Sequence, residues 1–374
     1  MMVAALALPA FAQTTTAPAT GTQAAATTGQ GDEEAKTALY KKFTDNVKTN
    51  QPVAYETAKE YLAKYPAEDQ YTAYMKKWVA AYEKGKRKVD LEQLIKDQKF
   101  GEAYTLGKQI LVDEPNDLTA LSRVSWAALQ SALSNKEVNG PEAATYVRKT
   151  IQAIESGRGF EEGKPLDAKS KEEFLNWLNS ALGIFSLKSN PNDSVGFLLT
   201  SAQHEGFFKT DPQTYVRLAL AYQAGPYKKL SDEFEANFRG KDETPESKAA
   251  LENLNQVIDR IIDAYARAIA LATDAKYATV KSGWTTQLTN FYKFRHNDSD
   301  AGLKEEIASV LSKPLPPQPT LIATPKPAPA TGATGATTPA STNPAPAASP
   351  TPPSTPPATP PSNTSTKPTT PSRP

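Results

Sequence analysis

Residues 113–129 read DEPNDLTALSRVSWAAL, a Pro-Asn-Asp turn signal set between two segments whose apolar residues recur every three or four positions. Gly101 to Val112 forms the segment before the turn, and Leu121, Val124, Ala128 and Leu129 mark one stripe of the segment after it. Two helices joined by so short a break lie side by side and antiparallel, so the stretch poses a choice between one closed bundle and a pile of helical hairpins. The surrounding sequence favours the pile. Leu39, Phe43 and Val47 fall at spacings of four, and Asn50-Gln51-Pro52 ends that segment. Tyr55, Ala58, Tyr61, Leu62 and Tyr65 make the next face, closed by Pro66; Tyr71, Tyr74, Trp78, Ala81 and Tyr82 continue with the same period. Leu91 to Ile95 is read as the first helix of a further pair with Gly101 to Val112.

Later segments keep the helical period. Residues 139–157 carry Pro141 in a first turn and Gly157 at a stop, the usual asymmetry of helix ends. Ser170 followed by Glu173 reads as a capping box leading into Phe174, Leu175, Leu178, Ala181, Leu182 and Phe185. SNPND at 189–193 and KTDPQ at 209–213 resemble EPND at 114–117 and are read as closures between units. From Pro245, Leu251, Leu254, Ile258, Ile261, Tyr265 and Ala268 define the strongest amphipathic helix, widened by Ile262 and Ile269 so that it meets two neighbours. Trp284 to Phe294 and Leu303 to Leu311 follow, and Pro314 ends the helical pattern.

Residues 91–117, LEQLIKDQKFGEAYTLGKQILVDEPND, resemble most of a tetratricopeptide repeat: a helix, a short turn bearing Phe100, a small residue at Ala103 where paired helices cross, and a proline after the second helix. Counting back from Pro115 puts the first repeat position at Lys84 and Ala103 at the twentieth; Pro66 gives Ala54 the same offset. Arg87 and Leu91 stand where the family pattern has Trp and Gly, and the two prolines are 49 residues apart, not one repeat of 34. The resemblance implies an all-α, tetratricopeptide-like α-solenoid of antiparallel hairpins over residues 32–313, with an elongated surface free to bind protein or peptide partners.

Composition bounds what lies outside that body. The chain has 374 residues, 39% hydrophobic, with no cysteine for a disulfide, a lipid anchor or a thiolate metal site. Residues 1–12 read as a signal peptide, an apolar run ending in Ala10-Phe11-Ala12 with Gln13 as the new terminus, which implies export to the periplasm or cell envelope of a bacterium, or secretion elsewhere. Residues 13–31 read as a low-complexity linker. Residues 314–374 hold 20 of the 31 prolines, three basic residues and no acidic one, and read as a disordered Pro/Ser/Thr/Ala-rich tail. Subtracting its charges leaves residues 31–313 with 39 basic and 41 acidic residues, a formal charge of −2 that gives no general attraction to nucleic acid. The only tight basic cluster, GKRK at 85–88, reads as a solvated loop. No apolar run approaches the length of a membrane span.

Motifs that carry chemistry fail on spacing. In GEAYTLGKQ, 101–109, five residues separate the glycines where a phosphate loop needs four, and Gln109 replaces the magnesium-binding hydroxyl. HEGFF, 204–208, starts like a zinc-protease motif, but Phe208 stands where the second histidine belongs, leaving a hydrogen-bonded or surface His204. NDSDAGLKEE, 297–306, puts Gly302 and Ser309 at positions where a calcium loop needs ligands, and reads as a helix start with Glu305 and Glu306 near the positive end of the dipole. No glycine elbow surrounds a serine, and any triad would have to use His204 or His296. No cofactor, metal or catalytic residue is expected.

The aromatics give the functional lead. Tyr55, Tyr61, Tyr65, Tyr71, Tyr74, Trp78 and Tyr82 crowd 28 residues, and Tyr71, Tyr74 and Trp78 are the candidate partner-binding residues, for a peptide or a glycan. The competing reading is interhelix packing. The expected function is an exported, non-catalytic helical scaffold or adaptor; the alternatives are a structural spacer without a specific ligand and an enzyme or glycan-binding module using a groove near His204.

Overall fold

The computed structural model describes residues 27–136 and 139–323, and among these every regular element is helical. The expected signal peptide, most of the 13–31 linker and the tail beyond residue 323 lie outside the described residues. The described residues divide into two compact units, one ending at Lys86 and the other beginning at Arg87.

The first unit holds α1 (Thr27–Asn46), α2 (Gln51–Lys64) and the first part of α3 (Gln70–Lys96). Helix therefore starts at Thr27, inside the stretch read as linker. The apolar stripes behave as their period requires: Phe43 of α1, Ala54, Ala58 and Tyr61 of α2, and Met75 of α3 are all fully buried and form one core. The starts of α2 and α3 are chemically marked. Asn50 caps α2 by accepting from the Val53 N–H, with Pro52 in the first turn. Asp69 accepts from the Thr72 N–H at 2.7 Å and pairs with Lys36 of α1 at 2.8 Å, fixing both the start of α3 and its neighbour.

Helix α3 does not break at GKRK. Gly85 weakens the interior of a helix only modestly, and further along the basic side chains find acidic partners: Arg87 meets Asp113 at 2.7 Å, and Lys88 meets Glu114 at 2.9 Å and Asp117 at 2.6 Å. The expected solvated loop and separate helix at 91–95 are thus one continuous element, held by ion pairs to the far end of the next helix.

The second unit continues with α4 (Phe100–Asp113), α5 (Leu118–Leu133), α6 (Gly140–Glu155), α7 (Ala168–Ser186), α8 (Pro191–Gln203), the short α9 (Phe207–Thr210), α10 (Pro212–Tyr222), α11 (Lys228–Asn237), α12 (Pro245–Leu271), α13 (Ala278–Arg295) and α14 (Leu303–Ser309). Along this unit each long helix packs on the next: α4 on α5, α5 on α6, α6 on α7, α7 on α8, α8 on α10, α10 on α12, and α12 on both α13 and α14. Two of these seams need glycine. A Cβ on Gly107 would lie 2.3 Å from Val124 Cγ2, and one on Gly183 would lie 2.6 Å from Leu198 Cγ, so the absence of a side chain lets α4 meet α5 and α7 meet α8. Ala103 is fully buried, as the crossing requires, and so is Ala54 in the first unit.

The prolines read as closures prove to be openings. Asn190-Pro191 and Asp211-Pro212 begin α8 and α10: the Asn or Asp side chain caps, and proline occupies a position whose N–H has no intrahelical partner. The same device begins α2, α6 and, with Thr244, α12. Pro115, by contrast, sits in the turn before Asp117, which caps α5. At α7 the cap is Asp167, which accepts from the Ser170 N–H at 2.9 Å and from its hydroxyl at 2.7 Å; Ser170 is inside the helix.

The core of this unit forms two clusters. One runs from Leu91 through Trp126 and Leu178 to Phe208, and the other gathers α8, α10, α12, α13 and α14 around Leu254, Ile258, Ile261 and Tyr265. Each fully buried Leu or Ile in them contributes roughly 1.5–3 kcal/mol of transfer free energy.

Candidate interaction surfaces

In the first unit, Tyr71, Tyr74, Trp78 and Tyr82 follow one another along one stripe of α3. The Tyr71 ring lies 4.4 Å from that of Tyr40. Tyr74 and Trp78 meet Phe43 edge-on at 5.9 and 5.2 Å. Trp78 stacks on Tyr82 at 5.2 Å, and Tyr82 lies 4.9 Å from Tyr55, whose hydroxyl donates to Glu83 at 2.7 Å. That bond, with partial burial, raises the Tyr55 phenol above its ordinary value. The structure brings the three candidate residues together, and one face of each is spent on packing. Tyr71 keeps 39% of its surface exposed, while Tyr74 and Trp78 are half-buried.

In the second unit the HEGFF stretch is a braced turn between α8 and α9. Asn176 of α7 reaches into it: its Nδ2 donates to the carbonyls of Ser201 and His204 at 2.8 and 3.2 Å, and its Oδ1 accepts from the Phe208 N–H at 3.0 Å. Gly206 has φ +154°, and a Cβ there would lie 2.5 Å from Asn176 Oδ1. His204 Nδ1 donates to Glu172 Oε2 at 2.9 Å, which lowers the Glu172 carboxyl below its ordinary value. His204 is thus tied to the same brace. His296 stacks on Tyr292 at 4.1 Å. GEAYTLGKQ lies within α4, and Asp298 and Ser299 form the turn that ends α13, their N–H groups donating to Lys293 and His296. Among the described residues no group of three or more metal-ligating side chains occurs, and no helix is long and apolar enough to cross a membrane.

Composition gave no sign of the third surface. Residues 313–322, with 314–322 read as the start of a disordered tail, lie along α12. Arg267 Nη2 donates to the carbonyls of Lys313 and Pro314 at 3.0 and 2.8 Å, and Arg260 Nε donates to that of Pro317 at 2.7 Å. Asn253 grips Ile322 at both backbone groups, Nδ2 donating to its carbonyl at 2.7 Å and Oδ1 accepting its N–H at 2.6 Å. Leu315 packs against the core beneath, and Gln318 passes beside Gly196 of α8. Asp263 holds Arg267 by two bonds, from Nε at 2.7 Å and Nη2 at 3.2 Å, and so fixes the guanidinium with Nη2 also reaching the segment. Burial pushes the Asp263 carboxyl above its ordinary value, against the opposing pull of Arg267. The three rungs stand seven residues apart, a regularity visible in the sequence once an occupant is known.

No protein-family model, curated protein or solved structure matches this chain.

Proposed function

We propose that the protein is an exported, non-catalytic helical scaffold or adaptor that holds other polypeptides on its helix faces, within a cell-envelope assembly if its host is bacterial. Tetratricopeptide-like pairing of successive helices would give it an elongated surface. The observation that carries the reading is the ten-residue stretch of extended chain held on α12 by side chains that bond its backbone. A helix face of this protein is therefore chemically suited to extended polypeptide. The aromatic stripe of α3 is the second such face, with Tyr71 its most accessible member, and a peptide or a glycan is the ligand its rings suit.

Proximity labelling with the full chain in its host, repeated with Tyr71→Ala and Trp78→Ala, tests this. A discrete set of labelled neighbours is expected, with at least one lost in the α3 variants when folding is unchanged. Labelling no different from that of an inert exported protein would favour the spacer reading instead.

A further inference from the structure

We propose that the face of α12 carrying Asn253, Arg260 and Arg267 is a binding site for an extended, proline-containing segment of another chain, and that residues 313–322 fill it in cis. The proposal rests on the scaffold reading above and names its partner class.

The spacing of the rungs fits such a ligand. Seven helical residues rise about 10.5 Å, and three residues of polyproline helix rise about 9.3 Å. Arg267 and Arg260, seven apart, take carbonyls at Pro314 and Pro317, three apart, and polyproline spacing holds over that interval. From Arg260 to Asn253 the segment spends five residues, Pro317 to Ile322, on the same rise and is less stretched there. Prolines at 314, 316, 317 and 319 suit this role twice over. They are already extended, so less freedom is lost on docking, and they bring no N–H that would need a partner.

The segment is also held in a way that permits exchange. Every hydrogen bond that the three rungs make to the segment goes to its backbone, so another extended chain with a non-proline residue opposite Asn253 offers the same kinds of atom. Its outer apolar residues are only partly covered: Leu321 and Ile322 each remain 47% exposed. Its departure would uncover an amide and two guanidiniums, polar groups that water solvates, and would withdraw Leu315 from the core, with the half-buried Pro316 and Pro319 leaving alongside it. Because Lys313 follows directly on the last helical turn, the tethered segment occupies the site at high effective concentration, and a partner enters as it leaves.

The test uses a fluorescein-labelled peptide of sequence KPLPPQPTLIA, matching residues 313–323, read by fluorescence anisotropy. The full-length chain is compared with one in which residues 314–322 are replaced by an equal length of Gly and Ser. The replaced chain should bind the peptide at least tenfold more tightly than the parent. Adding Asn253→Ala and Arg260→Ala should remove at least tenfold of that gain, and exchanging the peptide's prolines for glycine should weaken it. If the replaced chain keeps its helical circular dichroism yet binds no better than the parent, or equally well without the two rungs, the proposal is overturned. A measurement on the intact chain covers the case in which the replacement does not fold. There, millimolar peptide should speed hydrogen exchange at the Ile322 amide, and an unchanged rate overturns the proposal. Should labelled neighbours be found in the host while both peptide tests fail, the segment is a brace and the scaffold uses another face. Should no neighbours be found, the scaffold reading fails on its own.

Discussion

A hydrogen atom decides the α4–α5 and α7–α8 seams. Gly107→Ala and Gly183→Ala each place a methyl carbon against Val124 or Leu198 at a separation that packed atoms do not reach. Each is expected to destabilise by about 1–3 kcal/mol, the usual cost of overpacking, seen as a lower urea midpoint. Gly283→Ala is the control: it lies in the exposed interior of α13 with nothing within 4 Å, and should stabilise by about 0.5–1 kcal/mol through helix propensity alone. Asn176→Ala strands the Phe208 N–H and two carbonyls in a buried place, and a loss of about 1–3 kcal/mol is expected in the same measurement. The sequence showed Gly107 and Gly183 as glycines in apolar segments, but which side chain each must admit depends on the neighbouring helix, so the need for them was not legible. Tyr61 and Tyr71 make the same point. Both sit in helical stripes, yet one is sealed in the core and the other keeps 39% of its surface, because burial depends on where α1 passes.

At the scale of elements, ends were harder to read than faces. The stripes through Leu39, Phe43 and Val47 and from Leu251 to Ala268 gave the helices and, apart from Leu251, which stays 37% exposed, their buried sides, since period alone fixes which residues share a face. Proline does not announce its direction: Pro191 and Pro212 punctuate the chain equally well as stops or starts, and only the capping bonds of Asn190 and Asp211 settle the matter. Capping also makes stability respond to acid. The bond from Lys36, and then the Thr72 N–H, hold the Asp69 carboxyl far below the ordinary carboxylate range. A carboxyl depressed in the folded state adds stability above its unfolded value, near 4, and loses it as the pH falls from there toward the folded value. The first unit should therefore weaken on acidification below about pH 4. Asp69→Asn should flatten that dependence, as followed by thermal melts across pH with tyrosine and tryptophan fluorescence.

At the scale of the whole chain, α12 organises much of the second unit, packing on α10, α11, α13 and α14 and receiving residues 313–322. This last contact could not be read from composition. A proline-rich run lacks the apolar surface to order itself, and the partner that orders it, Asn253, stands 69 residues away in sequence. The Arg267–Asp263 pair beneath it is largely shielded from water. Arg267→Ala leaves that carboxylate buried without its cation and is expected to cost about 3–5 kcal/mol, measured by chemical denaturation. Replacing both residues by apolar ones of similar volume should recover much of the loss. The antiparallel course of the segment also relocates the point from which the remaining chain departs. Between Arg267 and Asn253 it travels back over two seven-residue intervals of helix, roughly 21 Å. A dye, affinity tag or fused domain joined after residue 323 would thus radiate from beside the opening turns of α12, and distances gauged from the end of α14 would have the wrong origin.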